Sequence, residues 1–175
     1  MTPIRLEIDP CDHITADAFG RPGQRTFYLQ VVKEGERTTI LIEKMQLQTL
    51  AIGIVKFLAE LEAQNLTLTP SSADFDEEKM RINILGDPLF RVGDIGIGYD
   101  SNRDSVVLVT KEILLSGMEE DDASQARIWC SRNQAKALAR WSIELANRGR
   151  SNCPQCGLPM EPEGHFCLKK NGHRH

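Results

Sequence analysis

The sequence has no excess of positive charge, no long hydrophobic run and no secretory signal pattern. Its 175 residues carry 21 lysines and arginines against 25 aspartates and glutamates, which gives a formal net charge of -4. A protein with this balance has no overall electrostatic attraction to nucleic acid or to an anionic membrane surface. Any contact with a polyanion would therefore need a local basic patch.

The lack of a long hydrophobic run and of a secretory signal bears on where in the cell the protein is expected. The most apolar stretch, LAIGIVKFLAEL at 50–61, is shorter than the roughly 18 apolar residues of a membrane-spanning helix, and Lys56 interrupts it. We therefore expect no membrane insertion. The first residues, MTPIRLEIDPCDHITAD, carry acids and prolines where a secretory signal needs a basic start and an apolar segment. We expect a cytoplasmic protein.

The composition is that of a globular protein, with 41% hydrophobic and 26% charged residues. The length allows one well-buried core and a small appendage, and it is too short for two full-sized domains. We expect an α+β core domain at about 1–150 and a separate C-terminal tail at 151–175.

The first half begins with a short apolar alternation, IRLEI at 4–8, and two further strands and a helix are predicted after it. RTFYLQVV at 25–32 alternates apolar and polar side chains, which indicates a half-buried strand, and TTILIEK at 38–44 follows a polar turn. The two strands should pair antiparallel. From Met45 to about Gln64, large apolar residues recur at helical spacing and predict an amphipathic helix. Residues 65–80 show no period and are expected to form a surface connector.

Three strands and a helix are predicted in the second half. The strands are LFRVGDIGIGYD at 89–100, SVVLVTKEIL at 105–114 and ARIWCS at 126–131, with an acidic loop before the last. The helix should run from about Asn133 to Asn147 and end at Gly149.

The two halves show an internal similarity. EKMQLQTLA at 43–51 aligns with SRNQAKALA at 131–139, so that Gln46 meets Gln134. Both segments mark a strand passing into a helix. We therefore expect two related strand-strand-strand-helix units at about 1–66 and 80–150, and the sequence leaves open whether they share one sheet.

The five cysteines are better interpreted as ligands and free thiols than as a disulfide framework, because the protein is expected in the cytoplasm. Cys153 and Cys156 have the C-x-x-C spacing that lets two thiolates reach one metal ion from a single turn. Gly157 follows directly and can adopt the positive φ that such a turn requires. Cys11 and Cys130 stand alone in the sequence.

His165 and Cys167 complete a Cys3His set in the stretch CPQCGLPMEPEGHFC at 153–167. Four protein ligands around zinc leave no open position for water or substrate, so we expect a structural rather than a catalytic ion. An iron–sulfur cluster would usually want a fourth thiolate. His173 and His175 compete for the fourth place, and we prefer His165 because it lies closer to Cys167.

The sequence shows no serine–histidine or cysteine–histidine arrangement, so no catalytic residue is predicted. Candidate ligand-binding residues in the core are Arg25, Gln30, Glu43 and Lys44. Arg25 follows a glycine-rich turn and could bind a phosphate or carboxylate, or else fix the turn onto a neighbouring strand. Glu43 and Lys44 stand at a strand-to-helix junction that could face a groove, although an acid there also suits the helix dipole. Structural roles are favoured.

Four stretches together resemble one bacterial family, catalogued as domain of unknown function 3090. They are GRPGQRTFYLQ at 20–30, EKMQ at 43–46, FRVG with YD at 90–100, and the cysteine-rich stretch with NG at 153–172. The resemblance implies a cytoplasmic bacterial protein and supplies no activity, substrate or catalytic residue.

The tail of this family resembles C-P-x-C-G-x-P-x-x-P-x-G-H-x-C-P-R-x-N-G-Y, which implies Cys153, Cys156, His165 and Cys167 as ligand positions. Leu168 and Lys169 depart from the Pro-Arg of the pattern, and His173 stands where the pattern has an aromatic residue. The last departure weakens His173 as a ligand.

Three functions are compatible with these observations. The leading interpretation is a non-enzymatic binding or adaptor protein with a protein partner. The second is a module for RNA or single-stranded DNA, since zinc knuckles occur in such proteins and KKNGHRH adds local positive charge. The third is an enzyme on small acidic or phosphorylated metabolites that uses Arg25.

Overall fold

The computed structural model describes residues 2–149, 152–158, 160, 167 and 169. Across these residues the chain is a mixed α+β structure with two sheets. The strands are β1 (Arg5–Ile8), β2 (His13–Phe19), β3 (Thr26–Lys33), β4 (Glu36–Ile42), β5 (Val92–Asp100), β6 (Ser105–Glu112) and β7 (Gln125–Cys130). The helices are α1 (Lys44–Gln64), α2 (Glu77–Met80), α3 (Arg132–Asn147) and a 3-10 turn at Glu120–Asp122.

The first sheet has the order β2-β3-β4, and all its pairs are antiparallel. The hairpin of β3 and β4 was predicted from the period-two pattern and is confirmed, with Leu29 opposite Ile40. Glu34 and Gly35 form its turn with φ values of 50 and 81, the left-handed conformation that matches the twist of hairpin strands. The sheet therefore presents an apolar face built from alternate residues.

The second sheet has the order β1-β7-β6-β5, so the two halves of the chain form two sheets rather than one. β5, β6 and β7 are antiparallel neighbours, whereas β1 pairs parallel with β7. The first strand of the chain thus joins the sheet of the second half. After β1, three strands and a helix follow one another twice, and the relation between the two predicted strand-strand-strand-helix units stays a prediction.

Helices α1 and α3 pack against each other and against the sheets. Both begin close to the predicted residues, and both carry a glutamine at the third helical position whose side-chain oxygen accepts the backbone N–H of the cap residue. Gln46 does this for Glu43 at 2.9 Å and Gln134 for Ser131 at 2.8 Å. Such reciprocal capping satisfies backbone donors that a helix start leaves unpaired.

The connector between the halves is more ordered than predicted. It contains the short helix α2, and the chain after it runs across the polar face of the first sheet. Thr15, Gln30 and Thr39 stand opposite one another in one row of that sheet, are buried, and donate side-chain hydrogen bonds to carbonyls of residues 80–85. The connector therefore covers the face of the first sheet that the helices leave open.

Candidate metal centre

Three cysteine side chains converge in the C-terminal tail. The sulfur atoms of Cys153, Cys156 and Cys167 all lie within 4.8 Å of one another. Cys153 and Cys167 are buried and Cys156 is partly exposed. Among the described residues this is the one group of three potential ligands found within metal-binding distance.

The local backbone explains why the first two sulfurs meet. Gly157 has φ 75 and donates its N–H to the carbonyl of Cys153 at 2.8 Å, while Cys153 donates to Leu158 O at 2.8 Å. These two bonds close a tight turn around the C-x-x-C pair. A residue with a side chain would be strained at this φ, so glycine suits the position.

The sulfur spacing fits a shared metal ion. The Cys153 and Cys167 sulfurs are 3.8 Å apart, almost twice the roughly 2.05 Å of a disulfide bond. Two thiolates bound tetrahedrally to zinc at about 2.3 Å stand about 3.8 Å from each other. Three sulfurs in this arrangement could therefore hold one ion.

The pKa of Cys156 depends on the two neighbouring thiols of the cluster. A hydrogen bond with the Leu158 backbone lowers the pKa of Cys156, but burial and the neighbouring Cys153 and Cys167 outweigh it and raise that pKa. Thiolates bind metal only after losing their protons, and a bound divalent cation reverses such a shift. Loading this site would release protons.

The predicted fourth ligand, His165, lies outside the described residues, as do its competitors His173 and His175. The described residues supply three cysteine sulfurs, two on one turn and the third from Cys167, and thiolate ligands suit a soft or borderline metal such as zinc.

Arg25 is occupied within the fold. Both terminal nitrogens of its guanidinium donate to the carbonyl of Leu145 at 3.2 Å, and the group lies 5.0 Å from the centre of the Phe27 ring. Leu145 is in the last turn of α3, where cations interact favourably with unpaired carbonyls. Burial and the nearby Arg81 lower the pKa of Arg25.

The side chains of Lys44 and Arg25 both lie beside Gly149, just after the end of α3. A methyl group on Gly149 would lie 2.9 Å from Lys44 Nζ and 3.1 Å from Arg25 Nη2. The structure therefore brings two of the four core candidates together around the helix C-terminus, as a pair of cations.

Glu43 and Gln30 lie elsewhere. Glu43 forms an exposed ion pair with Arg91. Gln30 donates to the carbonyls of Ile84 and Leu85 at 2.7 and 3.2 Å and so holds the connector on the sheet. The contacts of all four candidates are structural, and ligand binding by them stays a prediction.

A groove that the sequence did not single out lies between the start of α1 and the edge strand β5. It has a volume of about 490 Å³. Apolar residues from both elements line most of it: Met45, Leu50, Gly53, Ile95 and Ile97. The sequence signal that could have found it is Gly53, a glycine in the middle of a helix, which costs about 1 kcal/mol relative to alanine.

Comparison with known proteins gives one result. A family model described as "Protein of unknown function (DUF3090)" matches residues 6–167, which confirms the resemblance drawn from the sequence. The comparisons with curated proteins and with solved structures gave no match. None of the helices in the described part of the chain is long and apolar enough to cross a membrane.

Proposed function

Because this chain belongs to the DUF3090 family, whose function is unknown, we propose a function from its own residues: a non-enzymatic binding or adaptor protein with a structural zinc ion. Cys153, Cys156 and Cys167 supply three ligands, and His165 supplies the fourth. The observation that carries the metal assignment is the convergence of three sulfurs within 4.8 Å.

The ligand set argues for a structural ion. Three thiolates and one imidazole close the tetrahedron, so no position is left for a water molecule or a substrate. A tail of about 25 residues with few apolar side chains cannot form a hydrophobic core of its own, and metal binding would supply its folding free energy. The tail at 151–175 would then be a separate metal-dependent unit.

The cysteines and Arg25 of the core support a binding protein over an enzyme. Burial raises the pKa of Cys11 to about 11 and raises the pKa of Cys130 still further, so both thiols stay protonated and weakly nucleophilic. Arg25, the residue that an enzyme for acidic metabolites would need, donates to a helix carbonyl instead. Free thiols together with a thiolate metal site fit the reducing cytoplasm.

The proposal includes a relation between the two halves of the core. β2, β3, β4 and α1 would form one unit and β5, β6, β7 and α3 the other. Gln46 and Gln134, aligned in the sequence, cap their helices in the same way. Two related units would place equivalent surfaces at the two ends of the core, which one partner or two could use.

Elemental analysis with native mass spectrometry tests the metal. We expect one zinc ion per chain in the wild type, no zinc in Cys156→Ser, and an unchanged core in both by circular dichroism. Cys130→Ala is the matched control, because it removes a cysteine that is not a ligand and should keep the zinc. Iron, or zinc retained in Cys156→Ser, would contradict the site.

A binding assay tests the adaptor role. The zinc-loaded protein should show no salt-dependent retention of single-stranded RNA or DNA. Retention that weakens steeply with rising salt concentration would indicate that the partner is a nucleic acid and not a protein. A metabolite that raises the melting temperature of the wild type but not of Arg25→Ala would instead favour an enzyme.

A further inference from the structure

Two cationic side chains meet at one end of the core. Phe27 lies opposite Ile42 in the last pair of the β3–β4 ladder, and Arg25 and Lys44 each stand two residues beyond that pair. Lys44 Nζ and Arg25 Nη2 lie 2.9 and 3.1 Å from the point that a methyl group on Gly149 would occupy. The two nitrogens are therefore no more than about 6 Å apart, and like charges at this distance repel each other.

The position of Lys44 is unfavourable for its own helix as well. Lys44 is the first residue of α1, where the positive end of the helix dipole disfavours a cation. Its ammonium group forms no hydrogen bond or ion pair with the residues that the structure describes. Arg25 gives two of its five N–H donors to the carbonyl of Leu145, and the others have no acceptor in the same part of the chain. The fold therefore uses part of Arg25 and leaves the charge of Lys44 unused.

The neighbouring acidic and carbonyl groups have other partners. The acidic side chains of this end of the core form ion pairs with other cations: Asp17 with Arg81, Glu77 and Glu144 with Arg148, and Glu43 with Arg91. At the end of α3, the carbonyl of Ala146 accepts the N–H of Gly149. Burial and repulsion from Arg81 lower the pKa of Arg25, and the weaker attraction of Asp17 does not offset them. Within the described residues, Arg25 and Lys44 thus have no counter-ion of their own.

An apolar groove adjoins the two cations. It has a volume of about 440 Å³, within the range of ligand sites, and we call it the α1–α3 groove. It is lined by Met45, Gln48, Thr49 and Ile52 from α1 and by Ile143 and Asn147 from α3. Met45 directly follows Lys44, and Asn147 stands two residues before Gly149, so the groove begins at the helix ends that hold the cations. Met45 is 77% and Ile52 is 51% exposed, which leaves the groove open to a partner.

The spacing and the surroundings of the cations select the kind of anion. Charge-assisted hydrogen bonds are about 2.7–2.9 Å long, so one oxygen-bearing anion between the two nitrogens can accept from both. An apolar groove beside the anion favours a carboxylate carried by a protein segment with apolar side chains. The phosphates of a nucleic acid follow one another along a polar backbone, and the net charge of -4 disfavours them.

We propose that Arg25 and Lys44 bind a carboxylate of a protein partner, and that an apolar side chain next to this carboxylate lies in the α1–α3 groove. The carboxylate accepts from the Lys44 ammonium group and from the N–H donors of Arg25 that do not contact Leu145, and it removes the repulsion between the two cations. Charges beside an apolar pocket determine which partner binds. This proposal rests on the proposed adaptor function and names the chemistry of its partner.

The test titrates the full-length, zinc-loaded protein with acetyl-Leu-Glu-Leu-amide and follows amide chemical shifts in two-dimensional NMR. We expect saturable shifts at the start of α1 and at the end of α3. The matched peptide with glutamine in place of glutamate should bind about five- to ten-fold more weakly, because it lacks the charge that two partly exposed cations attract. Acetyl-Ala-Glu-Ala-amide should also bind more weakly, since it lacks the apolar side chains. No saturable shift, or equal affinity for the glutamate and glutamine peptides, would overturn the proposal.

The variant Lys44→Gln separates binding from a structural role. It should remove most of the preference for glutamate over glutamine and should not lower the melting temperature, because Lys44 stands at an unfavourable helix position beside another cation. Lys56→Gln is the matched control: Lys56 is exposed on the same helix and does not line the groove, so the preference should remain. A lower melting temperature with an unchanged peptide preference in Lys44→Gln would assign Lys44 to the end of α3 and contradict the site.

A further peptide identifies the source of the carboxylate. Acetyl-Leu-Leu with a free C-terminal carboxylate should also bind. If it binds more tightly than acetyl-Leu-Glu-Leu-amide, the partner presents its chain terminus, and if it binds more weakly, the partner presents an acidic side chain. Both results support the proposal.

Three outcomes separate this proposal from the adaptor function itself. Succinate that binds as tightly as the peptide would assign the cations to a small acid and overturn the protein partner. Salt-dependent nucleic-acid retention that is lost in Lys44→Gln would assign the cations to phosphates and refute the adaptor function as well. Failure of the peptides alone, with no nucleic-acid retention, would refute only the site at Arg25 and Lys44.

Discussion

Arg132 offers the sharpest test of what holds the core together. It is the first residue of α3, its side chain is 9% exposed, and it contacts three different segments. Its guanidinium forms two bonds to Asp104, at 2.6 and 3.0 Å, one to Glu62 at 2.9 Å and one to the carbonyl of Thr69. It therefore joins the β5–β6 turn, the end of α1 and the connector.

Substitution Arg132→Met removes the charge but keeps a long unbranched chain of similar helix propensity. Breaking a fully buried ion pair costs about 3–5 kcal/mol. Asp104 is 46% exposed and regains water, whereas Glu62 is 17% exposed and would keep a poorly solvated charge. We therefore expect the lower end, a loss of about 3 kcal/mol in the free energy of unfolding and about 6–12 °C in melting temperature.

Urea denaturation at pH 7, with calorimetry alongside, measures this loss. The matched control is Arg140→Met on the same helix, whose ion pair with Glu144 is exposed and 3.7 Å long, and whose loss should cost less than about 1 kcal/mol. A loss below about 1 kcal/mol for Arg132→Met would refute the reasoning, because the buried network would then contribute no more than a surface pair.

The effect of Arg132→Met should also depend on pH. Hydrogen bonds from Arg132 and Tyr99 lower the pKa of Asp104, and the pKa of Glu62 is lowered despite its burial by bonds from Ser71 and Arg132. Carboxyl groups with a lowered folded pKa stabilise the protein above their unfolded pKa of about 4, and this stability is lost as the pH falls further. The difference between wild type and variant should shrink below about pH 4.

Three further predictions follow from single contacts. Gly53→Ala should stabilise the protein by about 0.5–1 kcal/mol in urea denaturation, since its new methyl meets only Ile97 at 3.4 Å. Gly20→Ala should destabilise it by more than that, because φ is 112 and the methyl would lie 2.8 Å from a backbone oxygen. Cys11 and Cys130, buried with raised pKa values, should resist iodoacetamide at pH 8 until the protein unfolds, as mass spectrometry of alkylated peptides would show; rapid native labelling of either would contradict their burial.

The elements predicted correctly are those with a local periodic signal. The β3–β4 hairpin alternates because one face meets the core, and the leucines of α1 recur at helical spacing for the same reason. The C-x-x-C-G turn was visible because ligand spacing and glycine are local as well. Convergence of Cys167 on that turn was an inference from zinc chemistry, and the structure places its sulfur beside Cys153.

The features that escaped prediction depend on distant residues. β2 alternates Ile14 and Ala16 with Thr15 and Asp17, yet all four residues are buried, because helices cover one face of the sheet and the connector covers the other. The burial of its polar face therefore depends on connector residues far along the chain. The pairing of β1 with β7 has no local signal at all. The groove between α1 and β5 is lined by Gly53, whereas the aligned residue of α3 is Trp141, which is fully buried. The sequence contains this contrast, but which strands the two residues meet is decided by distant parts of the chain.

The placement of β1 constrains how the protein is made. Ile4 and its partner Ser124 are 120 residues apart, so a ribosome adding about 5–20 residues per second needs about 6–24 s between them. During that time the first strand has no partner to pair with. Once synthesis is complete, β1 replaces β7 as the edge of the second sheet, and this edge is four residues long and carries the exposed charges of Arg5 and Glu7, which disfavour pairing with strands from other chains. Removing β1 should therefore increase aggregation, because the longer strand β7 would become the edge of the second sheet, and the short charged strand is what keeps finished molecules apart.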